Sequence, residues 1–306
     1  MTSLERSILE TLVYFDLFDY PLTPTELQRY LWQAPKTSLD EVTKTAITLP
    51  QIEFSDSVFY LCGRHAITQT RAERYLESER KFLLRRRYIW LLSFLPGVRA
   101  IWIVNTLAYH NVRRSSDIDL LIVTAPGKIW STRFFTTALA KLLGLRPSEH
   151  HTQDTLCLSF YLTADQMDLS ALTKHGQHER YEAYWLAETM PVYDPKQLLK
   201  KCFAANPWLK RSLPNAAPMS LHYNRSVPQT WLQVALHWCD TLVLWEPIWR
   251  WLQLQLLPEK LKNLSGPIDS AAVVLSPTLL KFHTRDPRPD IQKRWQEKMQ
   301  QLTSTN

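Results

Sequence analysis

The stretch from Val98 to Leu162 leaves the chain little freedom of fold. It holds three runs of strand character, VRAIWIVN, DIDLLIVT and TLCLSFYL, and the helical run KIWSTRFFTTALAKLLGL lies between the second and third. A strand covered on one face alternates apolar with polar residues. DIDLLIVT is instead apolar from Leu120 through Val123, so it needs cover on both faces. A β-β-α-β order around such a strand implies a mixed sheet packed under helices, and the fold class is α+β. At the head of the strand stand Asp117 and Asp119. A period of two sends both to one face and Ile118 to the other, which sets two like charges a few ångströms apart. Such a pair needs a partner.

The rest of the chain divides around this unit. Residues 4–15, PLTPTELQRYL and SLDEVTKTAITL read as three short helices, the second behind a Thr or Ser type of cap. IEFSDSVFYL then reads as a hairpin with Asp56 and Ser57 at its turn. Three helices and a hairpin predict an N-terminal winged helix over residues 1–65. Lys36 and Lys44 face Asp40 and Glu41 around the third helix, a poor set for gripping phosphates, so docking or regulation is favoured over DNA binding. A basic connecting helix follows over 66–96, ended by Pro96 and Gly97. The central unit spans 97–205, and a helical C-terminal region spans 206–306.

Charge is concentrated. From Arg64 to Arg114 there are eleven Lys or Arg against three Glu, whereas the whole chain carries +7, so the remainder is near neutral. Two readings of the block stand side by side: a surface for polyanions such as nucleoside triphosphates or RNA, and a solvated helix face, because Arg85, Arg86 and Arg87 fan around a helix. The chain-wide +7 argues mildly against cationic acceptors.

Trp231, Trp238 and Trp245 recur at heptad spacing, with Trp249 and Leu252 continuing the stripe. His237, Asp240, Glu246 and Arg250 interrupt it and Pro247 is expected to kink it. The segment is therefore expected to pack in the core or across a homodimer and not to enter a membrane. Cys62, Cys157, Cys202 and Cys239 lie far apart, suggesting neither a zinc site nor a disulfide framework. With an N-terminus that lacks the marks of a signal peptide, this predicts a cytoplasmic protein. His150 and His151 are adjacent and would point apart, and His175 with His178 lacks the acid or cysteine partners of a metal site. The first pair reads as a polar loop, and the second can share a helix face without forming a metal site.

Paired carboxylates beside a strand-turn-helix suit Mg²⁺, which cancels their repulsion and bridges to triphosphate oxygens. Here the chain resembles the nucleotidyltransferase superfamily of the DNA polymerase beta-like fold. That superfamily shows a Gly-Ser pair after a first strand, a gap of helix and loop, and Asp-x-Asp on the second strand. Asn105-Thr106, LAYHNVRRSS and DIDLLIV stand in those places. YFDLFDYPLT, GKIWSTR, ANPWLKRSLPN and FHTRDPRPD further resemble segments of bacterial proteins that join a winged helix to such a domain. The resemblance implies transfer of a nucleoside monophosphate from an NTP to an acceptor, which could be RNA, a protein side chain or a small molecule. It implies Asp117 and Asp119 as catalytic Mg²⁺ ligands, and Asn105, Thr106 and Ser116 as nucleotide contacts. Arg113 and Arg114, just before the aspartates, are in reach of a triphosphate, and pairing with Asp117 or facing solvent are equal alternatives. A third carboxylate is expected on a later strand. TLCLSFYL offers none, with Cys157, Ser159 and Tyr161 expected on one face, so Asp154 just ahead of it is the nearest candidate. Asn105 in the Gly place and the missing acid support an alternative, a catalytically impaired, nucleotidyltransferase-like regulator or partner-binding protein.

Overall fold

The computed structural model describes the chain apart from residues 149–150, 174–178, 239, 241–244, 269–271, 284–285 and 305–306. His150, His175, His178 and Cys239 lie outside the described residues.

The N-terminal part forms helices α1 (Ser3–Asp16), α2 (Pro24–Tyr30) and α3 (Leu39–Thr48) and a hairpin of β1 (Ile52–Ser55) and β2 (Val58–Leu61). Thr2 with Glu5 and Thr23 with Glu26 form capping boxes at the first two helices. Asp56 and Ser57 turn the hairpin with positive φ at both positions, which suits the right-handed twist of the paired strands. Helix α4 (Ala66–Leu92) then runs to Gly97, whose φ is +82° and where a Cβ would come within 1.9 Å of Thr132 Oγ1. Only glycine fits that corner.

Beyond it lie β3 (Val98–Ile103), β4 (Ile118–Thr124), α5 (Ile129–Leu142), β5 (Leu156–Thr163), α6 (Glu179–Glu188), β6 (Met190–Tyr193), α7 (Leu198–Ala205) and α8 (Pro207–Ser212). The fold is α+β with a six-stranded mixed sheet. β3 pairs antiparallel with β4 and β6, and β4 pairs parallel with β5. The C-terminal region is not helical throughout. It holds α9 (Trp231–Trp238), α10 (Glu246–Leu256), α11 (Glu259–Asn263), the strands β7 (Val273–Leu275) and β8 (Leu279–Phe282), and α12 (Arg288–Ser304). β8 pairs with β5, so the sheet runs β6-β3-β4-β5-β8-β7. The reason is local: VVLSPTLLKF is two short apolar runs around a Ser-Pro turn, a hairpin signal inside a helical stretch.

Both faces of the sheet are covered. Ile118, Leu120 and Ile122 pack with Phe82, Ile89 and Trp130 on one side. Leu121 and Val123 join a cluster with Tyr14, Phe15, Ala183 and Tyr184 on the other, so α1 and α6 share a core with the sheet. Asp119 lies on that second face by the strand period.

Much of the basic block is engaged within the chain and is not a purely solvated face. Arg64 pairs with Asp16 and Asp19, Arg71 with Glu26, and Arg74 with Asp19 and Asn111. Arg85 and Arg86 donate to the carbonyls of Asp154 and Ser226. Helix α4 thus ties the N-terminal elements to the central loops.

The tryptophan stripe is also not core. Trp231, Trp238 and Trp245 are 80%, 81% and 68% exposed, while Gln233 and Gln253 are buried. Gln233 donates to Ser93 Oγ and Gln253 to the Trp130 carbonyl. Pro247 does not kink a continuing helix but sits in the first turn of α10, where proline's missing N–H costs nothing. Of the stripe, Trp249 does pack inward, against Phe134 and Phe135. Glu246 caps the start of α5 through the backbone N–H groups of Trp130 and Ser131. Among the described residues no helix is long and apolar enough to cross a membrane.

Candidate functional site

The two aspartates share a site with a residue on the next strand. β4 and β5 run parallel in a register that sets Asp119 opposite Cys157. One ligand atom from each of Asp117, Asp119 and Cys157 can be chosen so that all lie within 4.8 Å of one another. Past Cys157 the register slips by one residue, from Asp119↔Cys157 to Leu121↔Phe160. This β-bulge breaks the simple alternation of the strand. Tyr161 therefore joins the opposite core, bonding Thr136, instead of sharing a face with Cys157.

Burial and mutual repulsion set the electrostatics of the cluster. Burial raises the Asp117 carboxyl above its ordinary range. Burial, then the charge of Asp117, holds Asp119 up to about 6, against hydrogen bonds from Asn105 and Cys157. Burial and both carboxylates push the Cys157 thiol up as well. A divalent cation would relieve all three at once. The two carboxylates fit the oxygen preference of Mg²⁺, whereas the thiol does not.

Asp154, expected as the third ligand, is committed elsewhere. Its Oδ1 accepts from Arg80 and from Lys81, each at 2.7 Å. Against some burial, these bonds hold its carboxyl below the ordinary range. Lys81 is itself fully buried and also donates to the carbonyls of Arg114 and Ser116, at 2.8 Å each. One ammonium thus fixes the loop leading into Asp117 and the loop leading into β5.

Asn105 answers the Gly place of the resemblance with its backbone. Its φ is +59°, in the left-handed region that glycine and asparagine tolerate best. Its Oδ1 accepts from Trp185 Nε1 at 3.1 Å and its side chain also bonds Asp119, so it braces the site from the side.

Two cavities meet here. One, of about 350 Å³, is lined by Asn105, Thr106, Asp117 and Asp119, by the aromatic residues Tyr14, Tyr109, Tyr181 and Trp185, and by Glu188. Among the described residues no Lys, Arg or His joins its lining. The other, of about 560 Å³, is lined by Arg64, Arg74, Arg113, Arg294 and Lys298 with Asp16 and Asp19. Phe18, Thr106 and Ser116 border both. Thr106 and Ser116 thus stand on the border between the two, and of Arg113 and Arg114 only Arg113 lines the basic cavity. Among the described residues the charge lining the acidic cavity is opposite in sign to that of the whole chain.

Lys81, Trp185, Glu188, Arg294 and Lys298 carried no signal in the sequence, since each arrives from a distant element. Cys157 did have one, its place on the strand beside Asp-x-Asp. Among the other described cysteines, Cys62 is exposed and Cys202 buried, both free. Compared with family models, with curated proteins and with solved structures, the chain matches none.

Proposed function

We propose that the chain is a nucleotidyltransferase of the polymerase-beta-like kind, joined to an N-terminal winged helix, that moves a nucleoside monophosphate from an NTP to an acceptor hydroxyl and releases pyrophosphate. The observation that carries this reading is the position of Asp117 and Asp119 in an acidic, aromatic cavity that shares Thr106 and Ser116 with a basic one. Arg113, Arg294 and Lys298 would hold the triphosphate, and Thr106 would orient it at the border. The aromatic walls would hold the base or the acceptor by stacking. Asp117 and Asp119 would hold a divalent cation, Mg²⁺ by the resemblance, which would supply charge neutralisation next to the phosphates.

Pyrophosphate release from each of the four NTPs, with Mg²⁺ and separately with Mn²⁺, tests this. Release by the wild type that Asp117→Asn abolishes is the expected result. Release that survives Asp117→Asn would contradict it. A second reading, a regulator that binds nucleotide or a partner without turnover, is favoured by one observation: a thiol stands opposite Asp119 where a third acid is expected. Cation-dependent NTP binding without pyrophosphate release would select it.

A further inference from the structure

The donor set around the aspartates is not the one Mg²⁺ would choose. Cys157 is brought to them by the strand register, and its thiol lies within 4.8 Å of a carboxylate oxygen from each aspartate. Its neighbours Leu156 and Leu158 turn into the core on the other face of the sheet. A cysteine serving only as a small apolar filler would be placed with those leucines, away from charge.

The lining of the cavity points the same way independently. Glu188, at the end of α6, is 6% exposed and opens into this cavity, and no hydrogen bond or ion pair holds its carboxylate among the described residues. Three carboxylates thus line a space in which, among the described residues, no basic side chain takes part, and the thiol of Cys157 stands beside two of them. Two half-buried carboxylates beside a buried one call for a cation.

We infer that Asp117, Asp119 and Cys157 form a mixed oxygen and sulfur site that selects a borderline divalent ion, of the Zn²⁺ or Co²⁺ class, over Mg²⁺. Mg²⁺ demands hard oxygen donors in near-octahedral array and gains little from sulfur, whereas Zn²⁺ and Co²⁺ accept thiolate in low-coordinate sites. Glu188 supplies further negative charge to the cavity. The inference rests on the proposed function only in placing a cation on the two aspartates, not in what is transferred.

Titration of the full-length, reduced protein with Co²⁺ tests it through absorption. Thiolate bound to cobalt gives an intense near-ultraviolet charge-transfer band that oxygen ligands do not give. The wild type should develop the band and saturate near about one equivalent. Cys157→Ser and Cys157→Ala should lose it, and their Zn²⁺ affinity by calorimetry should fall by about tenfold or more while Mg²⁺ affinity stays unchanged. Asp119→Asn should weaken Co²⁺ and Mg²⁺ alike. Absence of the band in the wild type, its survival in both Cys157 variants, or unchanged Zn²⁺ affinity in them would overturn the inference. Mg²⁺ binding that needs Asp117 and Asp119, with no cobalt band, would leave the proposed function standing and remove this inference alone. Pyrophosphate assays that fail beside a normal cobalt band would do the reverse.

Discussion

The ammonium of Lys81 lies 2.7 Å from Oδ1 of Asp154, and the lysine is fully buried. The pair joins α4 to the loops on either side of the aspartates, so its role is to position, and Asp154 is its counter-charge. Lys81→Met should destabilise the protein by about 3 kcal/mol, the cost of removing one partner from a buried pair. Urea denaturation measures it. Asp154→Asn should likewise destabilise the fold yet leave a saturable cation response, whereas loss of cation binding in a folded Asp154→Asn protein would return Asp154 to the ligand set.

Removal of either central aspartate should act in the opposite direction. Without a cation, ionised Asp117 and Asp119 repel each other, and Asp119 stays protonated up to about 6. A carboxyl whose folded value is raised weakens the fold once it ionises, so this cost is present above about pH 6 and fades as pH falls below it. Asp119→Asn should therefore melt higher than chelator-treated wild type at pH 8, by roughly 1 kcal/mol, and the gap should narrow at pH 5. Thermal melts at the two pH values test this, and a variant that melts lower at both would point to a structural ion pair.

Asn105 contributes a backbone angle and two side-chain contacts. Asn105→Gly keeps the φ of +59° at no steric cost but loses the bonds to Trp185 and Asp119. Asn105→Ala loses both bonds and adds strain. The expected order of stability is wild type, then Gly, then Ala, with steps on the order of 1 kcal/mol. Equal melting temperatures for the three proteins would remove the brace from the account.

Much of this arrangement was legible in the sequence for physical reasons. Strand period alone puts Asp117 beside Asp119, and an unbroken apolar run such as LLIV admits only a doubly covered strand. The partner of Asp119 was harder to see. Parallel register is set by a crossover through α5 and the loop after it, and the bulge beyond Cys157 moves Tyr161 to the other face, so alternation alone mispaired the strand. The core part of the tryptophan reading failed because heptad spacing presumes one continuous helix, whereas Pro247 begins a new one and buried Gln233 and Gln253 find hydrogen-bond partners inside. Lys81 and Trp185 reach the site from elements remote in the chain, and their own neighbours in sequence hold no trace of it.

Acid should weaken the fold through His110. Burial, then the adjacent Arg225 guanidinium, lowers its pKa to about 3. In the unfolded chain an ordinary histidine binds its proton near 6.5, so between about 6.5 and about 3 the unfolded state holds more protons and stability falls as pH falls. The loss is on the order of 1–2 kcal/mol by pH 5. His110→Gln should flatten this slope in urea denaturation from pH 7 to pH 5. An unchanged slope would assign the acid sensitivity to other groups.

The most direct test of the central claim is the equilibrium affinity for NTP, with and without divalent cation, in the wild type and in Asp117→Asn. Titrations with ATP and GTP should each be run with Mg²⁺, with Mn²⁺ and with chelator. The account predicts that cation tightens binding of at least one nucleotide by about tenfold or more in the wild type, a coupling of about 1.4 kcal/mol, and that Asp117→Asn abolishes the difference. Nucleotide affinity that is indifferent to cation, or a cation effect that persists in Asp117→Asn, would contradict it.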